Sequence, residues 1–218
     1  MNPFKNKTEQ LRIFVTAGFP LMDSLPRQIA QLEEAGIDFI EVGIPFSDPM
    51  ADGPTIQKSS AVALKNGMTV SKMFAQLETV ASKIPLVIMS YFTPILHFGL
   101  KAFLERCAVV NVHHVILPDI SLEVYDAYYR EKFEASEISL CFLATPKTSS
   151  ERIQAMAARS PNGFLYLVSS AMTTGNANQR VAPEEVARIR KAVGAVPLMI
   201  GFGITSREDV ASVHQMAD

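Results

Sequence analysis

The chain has no tryptophan, only two cysteines and four histidines in 218 residues, and no long apolar run. Each shortage removes a class of protein. Cys107 and Cys141 lie far apart, form no C-x-x-C pair and sit inside apolar stretches. That argues against a disulfide framework or a cysteine-built zinc site and predicts two reduced core thiols. No apolar stretch approaches the ~18 residues of a membrane-spanning helix, and the opening MNPFKNKTEQ has no apolar h-region, so the expectation is a soluble, cytoplasmic protein. Neither sign of charge is in excess: 22 acidic against 20 basic residues leave a net charge of −2, with no footprint for nucleic acid or an anionic membrane. Low-complexity and linker-like tracts are missing too, so residues 1–218 are read as one domain.

What is present is an ordinary globular composition, 48% hydrophobic and 19% charged, enough to bury one sizeable core. Short β-branched runs recur: RIFVTA (12–17), FIEVGI (39–44), PLVIMSY (85–91), HVILPD (114–119), SLCFLAT (139–145), FLYLVS (164–169) and PLMIGFG (197–203). Between them lie amphipathic patterns such as SLPRQIAQLEEAG, VSKMFAQLETVASKI, SLEVYDAYYREKFEASE, SSERIQAMAARS, PEEVARIRKAVGA and SREDVASVHQMAD. Such alternation predicts a parallel sheet covered by helices. After the first run, TAGFPLMDS carries one glycine and a proline instead of the glycine-rich turn of a dinucleotide fold, which favours a (β/α)8 barrel. Seven strand-helix units can be counted, so the eighth βα unit is expected to be missing from the chain as given.

In a barrel strand alternate side chains face the interior. If Ile40, Val42 and Ile44 face the helices, then Phe39, Glu41 and Gly43 face inward. Glu41 would be a carboxyl inside a packed ring, where desolvation favours its protonated form and suits it to both give and take a proton. The plainer alternatives are an outward Glu41 or one paired with a buried cation, although the second run has no Lys or Arg. Pro45 then opens the loop FSDPMADGP, at the end of the strands where barrel enzymes place their chemistry. Asp52 in this loop is either a cap for the helix beginning near Pro54 or a second proton handler.

The stretch EVGIPFSDPMADGPTIQ (41–57) closely resembles the signature of the tryptophan synthase alpha chain family. FVTAGFP (14–20), LPD (117–119), YLVS with the later TTG (166–175) and GFGI (201–204) resemble further family segments, so the likeness runs over residues 12 to 216. It implies an eightfold barrel that cleaves indole-3-glycerol phosphate to indole and glyceraldehyde 3-phosphate. It also implies a pyridoxal-phosphate beta chain as partner in an α2β2 heterotetramer, with no cofactor in this chain.

By position, Glu41 resembles the family's acid/base glutamate, Asp52 its catalytic aspartate and Tyr166 an active-site tyrosine beside the glycerol moiety. Read alone, Tyr166 has the lesser alternative of a core tyrosine bonded to backbone. An inner Glu41 kept neutral and a wetter Asp52 kept charged would divide the work. Phe14, Met89 and Ile116 match the walls of the indole pocket, Thr174 and Gly175 a closing loop, and Phe202 and Gly203 a phosphate-binding turn. Asp48 matches a beta-chain contact. Ser170 and Met172 depart from the arginine and glycine that many members carry, and Thr93 stands where asparagine is frequent.

Other readings are a non-catalytic activator subunit for a beta chain, a Schiff-base aldolase using Lys147 just beyond the fifth run, and a metal-dependent epimerase or aldolase. Lys147 follows a proline in a polar turn, which favours solvation over nucleophilicity. His113 and His114 begin the fourth run, at the opposite end from the loops, and His97 and His214 fall in helical segments, so no convergent ligand set is expected.

Overall fold

A computed structural model describes residues 2–5, 9–168, 181–201, 204 and 206–218. Five parallel strands pair in chain order: β1 (Arg12–Thr16), β2 (Phe39–Gly43), β3 (Leu86–Met89), β4 (His114–Ile116) and β5 (Ser139–Cys141). A second parallel set follows: β6 (Leu143–Ala144), β7 (Leu165–Leu167) and β8 (Leu198–Ile200). β5 and β6 are pieces of one stave interrupted at Phe142, so the eight labelled strands make seven staves of a curved parallel wall.

Ten helices cover the outside: α1 (Leu25–Glu34), α2 (Pro54–Lys65), α3 (Val70–Leu77), α4 (Phe92–Phe98), α5 (Leu100–Val109), α6 (Leu122–Tyr128), α7 (Arg130–Ala135), α8 (Ser150–Arg159), α9 (Pro183–Val193) and α10 (Arg207–His214), counted among the described residues. Three segments differ from the pattern expected of the sequence. α3 stops at Leu77 instead of continuing to residue 84, because the Glu33 carboxylate accepts bonds from the Ser82 hydroxyl and the Lys83 amide, both at 2.6 Å, and ties that segment to α1. The pattern 121–137 is two helices, broken at Tyr129, whose ring packs edge-on against Phe92 with centroids 4.7 Å apart. The segment 92–109, not among the helical patterns, forms α4 and α5; the Asp119 carboxylate accepts the Phe92 amide at 2.9 Å and so caps α4 from outside it.

Alternation along the strands divides the core in two. Ile40, Val42 and Ile44 belong to a large cluster with Leu25, Ile29, Phe74 and other helix residues. Phe39, Val87, Ile116, Cys141, Phe164, Tyr166 and Met199 form a second cluster inside the ring. Phe4 plugs the amino-terminal end of this interior, its ring 4.9 Å from Phe39 and 5.0 Å from Phe164. Aromatic contacts of this kind contribute about 0.5–1.5 kcal/mol beyond their burial. Both cysteines are free and buried, as expected.

β1 and β8 are the outer strands of their sheets, and among the described residues no hydrogen-bonded ladder joins them. Among the described residues seven staves are found, the number of units counted in the sequence. The consequence is visible at Ile13, 36% exposed on β1. A cavity of about 480 Å³ occupies the seam, walled by Ile13, Phe14, Ile200, Val210 and Val213, with Arg12, Glu41 and Tyr166 also lining it.

Candidate active site

β1 and β2 pair in parallel with Phe14 opposite Glu41 and Arg12 opposite Phe39. Glu41 faces the interior and its side chain is 3% exposed, so the inward reading holds. The alternation that turns Phe14 inward turns Arg12 inward as well. Arg12 Nε lies 2.6 Å from Glu41 Oε1, and the guanidinium carbon sits 4.3 Å from the centre of the Tyr166 ring. The alternative in which Glu41 pairs with a buried cation is therefore realised together with the inward orientation. β2 has none, but its neighbour brings one across the ladder.

Three polar groups thus share one buried pocket. Burial pushes the Glu41 carboxyl up, while the Arg12 charge, the Arg12 hydrogen bond and the Tyr166 hydroxyl pull it partway back. Burial and the adjacent Glu41 charge push the Tyr166 phenol up to about 12, against the pull of Arg12. Desolvation works against the Arg12 charge, but Tyr166 and Glu41 outweigh it. Tyr166 is accordingly joined to side chains of the site and is more than a core tyrosine held by backbone. Gly201 makes the room, since a side chain there would overlap the Tyr166 hydroxyl and Arg12 Nη2.

Asp52 stands on the loop that follows β2. The N-cap of α2 is Gly53, without a side-chain cap bond, and Pro54 is the first helical residue, so the capping alternative for Asp52 is set aside. Asp52 is only slightly wetter than Glu41, 8% exposed against 2%, and burial raises its carboxyl to about 6, opposed by a hydrogen bond from Tyr91. The reason is Tyr91, which follows β3, packs against Phe46 with ring centroids 5.3 Å apart and accepts the Ala51 amide at 2.7 Å. A second cavity, of about 10 Å³, is lined by Phe14, Thr16, Gly43, Asp52, Met89 and Tyr91. It has room for about one water molecule. Phe14 walls both cavities, and its ring fills the space a side chain at Gly43 would take.

Phe14 and Met89 thus line the cavity beside Asp52, and Phe14 also the one beside Glu41. Ile116 is fully buried in the interior cluster, opposite Met89 and Cys141, and walls neither cavity. Thr174, Gly175, Phe202 and Gly203, with Ser170 and Met172, lie outside the described residues. Sequence reasoning missed Arg12 and Tyr91. Arg12 was legible in principle, two residues before an inward Phe14; nothing in PLVIMSY marked Tyr91 as a lid over Asp52.

Lys147 is exposed, as a solvated lysine would be. His114 is buried at the far end, bonded to the Asn162 carbonyl at 2.8 Å, with its pKa lowered to about 4 chiefly by burial. Among the described residues no group of three or more His, Cys, Asp or Glu is arranged to hold a metal ion, and no helix is long and apolar enough to cross a membrane.

A parallel barrel wall with two buried carboxyls, one on β2 and one on the loop that follows it, has the form of a barrel enzyme. The family model described as "Tryptophan synthase alpha chain" matches residues 2–218. A tryptophan synthase alpha chain of Christiangramia forsetii is 44% identical over 218 residues, covering 95% of this chain and 84% of its relative. One from Flavobacterium psychrophilum is 42% identical over 216 residues, covering 95% and 85%. Among solved structures, Mycobacterium tuberculosis tryptophan synthase superposes with a TM-score of 0.88 at 32% identity, over 97% of this chain and 81% of that one. The tryptophan synthase complex of Pyrococcus furiosus gives 0.86 at 32% identity, over 98% and 85%. The chain belongs to the tryptophan synthase alpha chain family.

Proposed function

We infer that the chain is the lyase subunit of tryptophan synthase, cleaving indole-3-glycerol phosphate to indole and glyceraldehyde 3-phosphate within tryptophan biosynthesis. The observation that carries the chemistry is the inward, buried Glu41, paired with Arg12 at 2.6 Å and sharing its cavity with Tyr166. Cleaving the bond between indole C3 and the glycerol chain requires C3 to become tetrahedral by gaining a proton. The positive charge then rests on the ring nitrogen. The bond's electron pair returns to the ring as the adjacent hydroxyl loses its proton and becomes the aldehyde. One proton enters and one leaves, so a single carboxyl can lend and recover it.

Glu41 is assigned that exchange, and Asp52, as the anion, accepts the indole N–H and stabilises the charge on the ring. Tyr166 holds Glu41 in place. Phe14 and Met89 offer apolar faces to the indole, with Ile116 behind them. Thr174 and Gly175 are assigned to loop closure, and Phe202 and Gly203 to backbone recognition of the phosphate. The 10 Å³ space beside Asp52 is far smaller than an indole ring. Entry therefore requires Phe14 or the Tyr91 side of the loop to shift.

The indole ring is its own electron sink, so the cleavage needs no cofactor in this chain; pyridoxal phosphate is assigned to the partner beta chain. Asp48, Met50 and Thr93 are exposed near the mouth and suit a face for that partner. We place the protein in the cytoplasm, working as a single barrel domain. The test is release of indole and glyceraldehyde 3-phosphate in equal amounts from indole-3-glycerol phosphate, by the chain alone and with a beta chain, with and without a chelator. Equal release untouched by the chelator is expected. Release that appears only with a metal would overturn this reading.

A further inference from the structure

Neither the second strand nor the signature that follows it accounts for the Arg12 guanidinium. Its side chain is 11% exposed, its Nε meets Glu41, its face covers Tyr166, and its Nη2 is buried without a hydrogen-bond partner among the described residues. A buried cation is costly to desolvate, and a fold that needed only packing would be served as well by an apolar residue of that volume. The groups around Glu41 show what the charge supplies. β3 presents Val87 and Met89, β4 Ile116 and β8 Met199, all apolar; β5 presents the Cys141 thiol and β7 the Tyr166 phenol. Both of the latter are held protonated by burial at neutral pH. Arg207 and His214 of α10, and Asp218 after it, line the same cavity, but the cation in contact with the Glu41 carboxylate is Arg12, at 2.6 Å.

We propose that Arg12 is a positioning residue for the cleavage reaction: its guanidinium orients Glu41 toward Tyr166 and keeps the ionised form of that carboxyl within reach, so that one group serves as acid and then as base. In this ring without Arg12, Glu41 would hold its proton more tightly and would lend it less readily to indole C3. The inference rests on the lyase reading above, and its test separates the two.

Carbon-13 NMR of labelled glutamate, with the Glu41 signal assigned through Glu41→Gln, follows the Glu41 carboxyl titration in the full chain, its Arg12→Met variant and its Arg12→Lys variant. The pH profile of kcat for indole release is recorded beside it. Removing the cation should raise the Glu41 midpoint by at least about one pH unit, the lower end of what an adjacent opposite charge imposes. The alkaline limb of kcat, where Glu41 has lost the proton it lends, should move up with it, and Arg12→Lys should restore most of both. Should Arg12→Met not fold, Arg12→Gln keeps donors and similar volume without charge, and the same upward movement is expected. An unmoved midpoint in a folded, active variant overturns the inference and leaves the lyase reading intact. A raised midpoint in the variant, with no indole released by the parent chain, upholds Arg12's hold on Glu41 and overturns the lyase reading instead.

Discussion

At the scale of single residues the site runs against the simplest division of labour, one dry acid and one wet one. Both carboxyls are buried, and their neighbours separate them: Glu41 has a guanidinium and a phenol, Asp52 a phenol alone. Asp52 then carries a cost. Its pKa rises from 3.8 to about 6 on folding, so the folded state binds its proton more tightly than the unfolded state does. Stability from this group is present below pH 4 and is lost as pH climbs through about 6; above that, the fold holds a desolvated anion. Asp52→Asn removes this titration. Thermal unfolding should therefore show the variant more stable than the parent at pH 8 and without that advantage at pH 4, while indole release falls at least about 10²-fold. Equal stability difference at both pH values would contradict the burial argument.

At the scale of elements, the site depends on what adjacent strands place side by side. The order of strands and the inward face of β2 were legible because period-2 alternation survives in FIEVGI. The cation was not read, because a strand taken alone says nothing of its neighbour's register; Arg12 and Glu41 meet only because β1 and β2 pair with Phe14 opposite Glu41. Helix ends were read less well, since Glu33 ends the α3 region from a distant element. The end of β8 has its own requirement. Gly201→Ala would drive a methyl into the Tyr166 hydroxyl and Arg12 Nη2. The expected cost is about 1–3 kcal/mol, typical of overpacking, read from denaturant unfolding, together with loss of activity. A neutral substitution would show that the Arg12–Tyr166 pair is looser than its geometry implies.

At the scale of the whole molecule, the barrel does two separate jobs. Its outer cluster binds helices to strands, while its inner cluster is sealed by Phe4 at one end and left polar around Glu41 and Arg12. The fold and the acid on β2 could be read from alternation and from the dense signature after it. Tyr91 over Asp52 could not, because its role comes from a hydroxyl reaching across from the stave beyond β2. The seam between β1 and β8 opens beside the same polar groups, so the site and the least covered part of the wall adjoin. The most direct test of the whole account is the rate of indole formation from indole-3-glycerol phosphate by Glu41→Gln against the parent, with folding of both checked by circular dichroism. The account predicts a loss of at least about 10²-fold in kcat, because the amide can neither lend nor recover the proton. A folded Glu41→Gln that cleaves at the parental rate would contradict it.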